Sequence, residues 1–122
     1  MSIHASFVLN VSDLGAERAF YRDVVGLGDP VLNSNVWVEF DLGNGCSFCL
    51  EKPAPGKTPA QPNGRTAFLF LVDSVAEFDK RYREYGFEGE SADIPCEHLG
   101  MHARQYPDPE GNLFRVTDSR LR

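Results

Sequence analysis

No stretch of the 122-residue chain approaches the roughly 18 consecutive apolar residues that a membrane-spanning helix requires, so no membrane partner is expected. Basic charge is also scarce. Twelve Lys and Arg stand against 18 Asp and Glu, a formal net charge of −6. A nucleic-acid backbone is held by clustered cations, so a nucleic-acid partner is not expected either; the acidity suits solubility and attraction for a cationic ligand. Cysteine is sparse: three thiols cannot all pair within one chain. The opening MSIHASFVLNV lacks the basic head and long apolar core of an export signal. Reduced thiols and a cytoplasmic location are therefore expected. Cys46 and Cys49 form a CxxC, but inside the strand-like run CSFCLE, where residues three apart face opposite sides. They read as ordinary strand thiols rather than a redox pair or a shared metal site. The chain also lacks a nucleophile elbow, a phosphate-cradling glycine loop and an evident acid–base pair.

What is present is patterned. Ser6 to Val11 alternates as a strand, with Phe7, Leu9 and Val11 on one face. Asp13 is placed to cap a helix, AERAFYRDVV, that aligns Ala16, Ala19, Phe20 and Val24, and Gly26 suits its left-handed end. WVEFDLGNGCSFCLE then reads as a β-hairpin turning at GNG. Residues 53–63 belong to a loop, PAPGKTPAQPNG, holding four of the eight prolines. Beyond it the order recurs. RTAFLFLV is a strand, and Ser74 with Glu77 forms a capping box. Val75, Phe78, Tyr82 and Tyr85 follow at helical spacing, with Gly86 as the stop. A less regular stretch containing Pro95 and Cys96 leads to a second hairpin, MHARQYPDPEGNLFRVTD.

The halves superpose as sequences. Val11-Ser12-Asp13-Leu14 matches Val72-Asp73-Ser74-Val75 at an offset of 61 (72 − 11), and Tyr21-Arg22 matches Tyr82-Arg83 at the same offset. Gly45 and Phe48 match Gly111 and Phe114 at an offset of 66 (111 − 45). The extra five residues (66 − 61) fall between helix and hairpin. One domain spanning 1–122 is expected, built as a pseudo-repeat of 1–52 and 64–122 joined by the linker. Each half supplies strand, helix, strand and strand, with room for one further short strand. The fold class is α+β: two tandem βαβββ modules whose curved mixed sheets enclose a cleft, with the helices outside.

VSDLGAERAFYRDVVGL (Val11 to Leu27) and DPEGNLFRV (Asp108 to Val116) resemble the vicinal oxygen chelate superfamily, which includes glyoxalases, extradiol dioxygenases, fosfomycin-resistance enzymes and bleomycin-binding proteins. The resemblance spans essentially the whole chain and implies the βαβββ pair, a small-molecule ligand and a homodimer. Fold likeness alone does not choose among the activities of such a family. In its metal-dependent members the ligands stand on the cleft face of the strands. Carried over by position, those places are occupied here by Ser6, Cys49, Ala67 and Arg115. A guanidinium offers no lone pair and repels a cation, and one thiol does not hold a catalytic metal ion. No metal and no cofactor are expected. His98 and His102, with Glu97 nearby, lie four apart but with Gly100 between them, and a rim or hydrogen-bonding role is the plainer reading.

If Phe40, Phe48 and Leu50 pack toward the helices, alternation turns Trp37, Glu39, Cys49 and Glu51 into the cleft, an aromatic and acidic wall. From the second half Leu69, Leu71 and Arg115 are expected to face inward, with Arg104 and Tyr106 as candidates to join them. Arg115 either grips an anionic ligand group or pairs with Glu39 or Glu51. The reading is thus a metal-free binder of bleomycin-resistance type for a drug or an aromatic or cationic metabolite. The alternative is a glyoxalase- or dioxygenase-like lyase, isomerase or oxygenase, using displaced ligands such as His98, His102, Glu51 or Cys49 or working without a metal.

Overall fold

A computed structural model describes residues 3–57, 68–88, 92–96 and 101–118, with the backbone alone at 92–96 and 101–102. The chain divides into two units, Met1–Gln61 and Pro62–Arg122, at a point inside the proline-rich linker.

The first unit runs β1 (Ala5–Asn10), α1 (Leu14–Ala19), β2 (Leu32–Asn33), β3 (Trp37–Gly43) and β4 (Cys46–Glu51). Its four-stranded sheet has the order β1-β4-β3-β2; β1 lies parallel to β4, and the other pairs are antiparallel. Asp13 starts α1 as expected, its Oδ1 accepting from the Ala16 N–H at 3.0 Å. Instead of continuing as an α-helix, the chain widens into a π-helical stretch, Phe20–Val25, that ends at Gly26 with φ 91°. Phe20, Tyr21, Val24 and Val25 are all buried, and the wider turn lets both adjacent pairs stand inward. The β3–β4 turn passes through Gly43, Asn44 and Gly45 at φ 84°, 54° and 78°, which explains GNG. At Gly45 a side chain would also be crowded, because a Cβ would lie 3.0 Å from His4 Nδ1 and 3.2 Å from the Ile3 carbonyl.

Burial identifies the helix face of this sheet. Val38, Phe40, Phe48 and Leu50 are buried there, and the Phe48 ring lies 4.8 Å from that of Tyr21. Phe7 shares that side through its pairing with Phe48 but stays 53% exposed, because β1 is the edge strand of its sheet.

The second unit repeats the plan with β5 (Phe68–Leu71), α2 (Val75–Glu84), β6 (Ala92–Cys96), β7 (Met101–Pro107) and β8 (Leu113–Thr117), in sheet order β5-β8-β7-β6. The room left for a further strand in each half is filled by β2 and β6. Helix α2 is capped twice: Ser74 Oγ accepts from the Glu77 N–H at 3.2 Å, and Asp118 Oδ2 accepts from the Val75 N–H at 2.9 Å. The second cap ties the helix start to the residue following β8.

Beneath α2, an aromatic cluster of Phe78, Tyr82, Tyr106 and Phe114 is buried. The Tyr82 hydroxyl donates to the Pro107 carbonyl at 3.0 Å, and that of Tyr106 to Asp79 Oδ1 at 2.8 Å. Burial first, and the Asp79 carboxylate second, push the Tyr106 phenol well above its ordinary value. Tyr85, expected in the buried stripe, is the helix C-cap and is exposed.

The DPEGN turn is a carboxylate cage. Asp108 Oδ1 accepts from the backbone N–H groups of Glu110 and Asn112, both at 2.9 Å, while the Asn112 amide donates to both carboxylate oxygens at 3.2 and 3.0 Å. Gly111 closes the turn at φ 84°.

Candidate functional site

Opposite the helix, the first sheet presents its other face. Register places Trp37 beside Glu51, Glu39 beside Cys49, and Asp41 beside Ser47, with Ser6 next to Ser47 across β4. All these residues share one side of the pleat. The expected set of Trp37, Glu39, Cys49 and Glu51 is therefore assembled on a single face.

Hydrogen bonds link much of this row. Ser6 Oγ and Ser47 Oγ lie 2.6 Å apart, and Ser47 Oγ lies 3.7 Å from Cys49 Sγ. The Cys49 thiol donates to Glu39 Oε1 at 3.7 Å, and the Trp37 indole N–H donates to the same oxygen at 3.3 Å. At one end the face opens into a cavity of about 430 Å³ lined by His4, Ser6, Glu39, Asp41, Asn44 and Ser47, among others. Glu39, Asp41 and Glu51 form no ion pair within this unit among the described residues. The face is thus acidic, with an indole fixed against one carboxylate. Sequence reading missed Ser47 and Asp41. Alternation from Cys49 and Glu39 would have found both, since each lies two positions away on the same strand face.

Burial pushes the Cys49 thiol above its ordinary value; the Ser47 hydroxyl opposes this, while the charge of Glu39 and its hydrogen bond add to it. Because the folded thiol titrates above the unfolded one, its contribution to stability is whole below about pH 8.5 and falls away as pH rises beyond that. Iodoacetamide at pH 8 is expected to label Cys49 at least about tenfold more slowly in the native protein than in urea, since the thiolate is the reacting species. Peptide mass spectrometry reads this directly, and equal rates in the two states would contradict the burial. Cys46 and Cys49 are both free.

On the second sheet, register aligns Leu69, Arg115 and Gln105 in one row across β5, β8 and β7. The Arg115 Nε–H donates to Gln105 Oε1 at 3.3 Å. Leu71 and Leu113 share this face with Leu69 and Arg115, opposite α2. The expectation that Arg104 and Tyr106 also face this way is corrected. Arg104 pairs with Val116 and Tyr106 with the buried Phe114, which puts both on the α2 side. There the Arg104 Nε lies 3.8 Å from Asp79 Oδ1, and its guanidinium sits 5.9 Å from the Tyr106 ring centroid. A carboxylate on the helix draws the charge to that side, and the aromatic ring supports it.

The metal positions of the family can be tested against these surroundings. The Ser6 hydroxyl is bonded to Ser47, the Cys49 thiol is held protonated, and Arg115 is a cation. Ala67 and His98 lie outside the described residues, as does the side chain of His102 on β7. Among the described residues no group of three or more His, Cys, Asp or Glu side chains is placed to hold a metal ion. The donors among the described residues do not fit a catalytic metal.

Solved structures share the fold. A lactoylglutathione lyase from Agrobacterium tumefaciens is 28% identical, with a TM-score of 0.71 over 95% of this chain and 92% of that one. The bleomycin resistance determinant encoded on transposon Tn5 is 20% identical, with a TM-score of 0.67 over 98% and 100%. The genomically encoded fosfomycin resistance protein of Listeria monocytogenes is 20% identical, with a TM-score of 0.72 over 99% and 96%. No curated protein matches the sequence. A single family model accounts for residues 4–116, from the residue before β1 to the penultimate residue of β8, and with it the chain belongs to the glyoxalase/bleomycin resistance protein/dioxygenase superfamily.

Proposed function

We propose that the protein is a metal-free small-molecule binder of bleomycin-resistance character, which takes up a cationic, aromatic-bearing ligand and leaves it chemically unchanged. The observation that carries this reading is the open face of the first sheet. Among the described residues of their unit, three carboxylates lie there without an ion pair, next to an indole whose N–H is bonded to one of them. A desolvated cation over an indole and between carboxylates gains from both. A bleomycin resistance determinant and a fosfomycin resistance protein among the similar structures support a small drug-like molecule as the ligand, and the protein is proposed to act as a cytoplasmic homodimer. No helix among the described residues is long and apolar enough to cross a membrane.

Trp37 is the sole tryptophan, so its fluorescence reports binding at this face. Titration with bleomycin and with flat aromatic cations is expected to give saturable quenching by at least one of them. Glu39→Gln should weaken that binding by about tenfold, the worth of one charge-assisted contact. Purified protein never exposed to chelator is expected to carry far less than one transition-metal ion per chain. Stoichiometric metal together with substrate turnover would overturn the proposal. A second reading, an enzyme of glyoxalase type, is favoured by the 28% identity to the Agrobacterium lyase, and the same metal analysis separates the two.

A further inference from the structure

Arg115 occupies the middle of an interior strand, on the face of the second sheet turned away from α2. Leu69 and Gln105 flank it across the sheet, and Leu113 and Thr117 lie two residues away along β8. Leu69, Leu71 and Leu113 are 44%, 56% and 50% exposed. A half-buried guanidinium thus sits among leucines standing in solvent.

Among the described residues of its own unit it has no carboxylate partner. Among the described residues there, the hydrogen bond it makes is to the neutral Gln105 amide, and it forms no ion pair. Three of the described carboxylates of this unit are engaged elsewhere. Asp79 holds Tyr106 and neighbouring arginines under α2, Asp108 holds its turn, and Asp118 caps the helix. The bond from Nε to Gln105 fixes one edge of the guanidinium and leaves the paired Nη groups as donors. That is the fork geometry that matches a carboxylate.

We propose that this face binds an organic carboxylate with an apolar body, the carboxylate held by Arg115 and the body laid on Leu69, Leu71 and Leu113. The inference rests on the reading that the chain binds a small molecule, and it specifies the chemistry of a second recognition element. Gln105 is a positioning residue, since it orients the guanidinium without meeting the ligand's charge.

The test is isothermal titration with 2-naphthoate and with 2-naphthol, which share a body and differ in the anionic group. Wild-type protein is expected to prefer naphthoate by about tenfold or more, as a charge-assisted bidentate contact implies. Arg115→Gln should abolish that preference while leaving naphthol affinity within about twofold, and Arg115→Lys should restore part of it. Naphthoate and naphthol bound alike by the wild type, or naphthoate affinity unchanged in Arg115→Gln, would overturn the inference. If Arg115→Gln fails to fold, the wild-type ratio and Arg115→Lys still decide. Failure here with Trp37 quenching by cations intact would sink this site alone, whereas loss of both would sink the binding function as well.

Discussion

Phe114→Ala is expected to destabilise the protein by about 3–5 kcal/mol, measured as the shift in urea unfolding followed by far-UV circular dichroism. The ring is fully buried, with centroids of Phe70, Phe78 and Tyr106 at 6.0, 6.0 and 5.9 Å. Truncation removes the transfer free energy of the ring and leaves a void between strands β5 and β7 and helix α2. Neighbours as large as Phe78 and Tyr106 do not collapse into such a space without leaving their own rotamers. Phe114→Leu, which keeps most of the volume, should cost well under half as much. Phe7→Ala supplies the comparison: this Phe is 53% exposed on an edge strand, and the same truncation there should cost under about 1 kcal/mol. Equal losses at Phe7 and Phe114 would mean that the aromatic cluster does not organise the second unit. The consequence reaches function, because Phe114 and Arg115 are consecutive residues on opposite faces of β8. Anchoring the first sets the height at which the second stands over the open face.

Some of this was legible from residues alone because each rule had one dominant cause. Asp13 and Ser74 act as caps since a short oxygen-bearing side chain before an apolar stripe has little else to do. GNG turns the first hairpin because three consecutive positive φ values suit Gly and Asn. Alternation in WVEF and FCLE put Trp37, Glu39, Cys49 and Glu51 on one face, and the family resemblance pointed to Arg115 in the strand after DPEGN, with the repeat offset in agreement.

Where two causes competed, the pattern was silent. In MHARQY neither parity is wholly apolar. Arg104 lies on the helix side because Asp79 draws its charge and Tyr106 supports it, neither of which is a neighbour on its own strand face until the fold has formed. The π-helical stretch was hidden for the opposite reason: buried residues at Phe20, Tyr21, Val24 and Val25 also fall within the broad stripe that an α-helix can bury, so their spacing does not demand the wider turn. Strand β6 contains Pro95 and no clean alternation, so its pairing with β7 could not be anticipated. Ser47 reads as a neutral strand residue until its register against Ser6 makes it the link between β1 and Cys49.

Asp108→Ala should cost about 2–4 kcal/mol, more than a turn residue ordinarily would, because its carboxylate accepts from several donors at once. Both Asp108 and Asn112 are buried, so the Asn112 backbone N–H and side-chain amide would lose their partner without full access to water. The Glu110 N–H, in a more exposed residue, should rehydrate and contribute little. Asp108→Asn separates the terms. It keeps one oxygen for the backbone donors but sets an NH₂ group against the Asn112 amide. That clash is relieved if Asn112 turns its own oxygen inward, so the loss should be about half that of the alanine variant. The turn also fixes the pairing of Pro107 with Leu113 and, two residues on, of Gln105 with Arg115. Loosening it should therefore narrow the naphthoate-over-naphthol preference at temperatures where the protein is still folded, as well as lower the urea midpoint. A lowered midpoint with an undiminished preference would show that strand pairing alone holds the guanidinium in register. An unchanged midpoint would show that backbone geometry at Pro109 and Gly111 suffices to form the turn without the carboxylate.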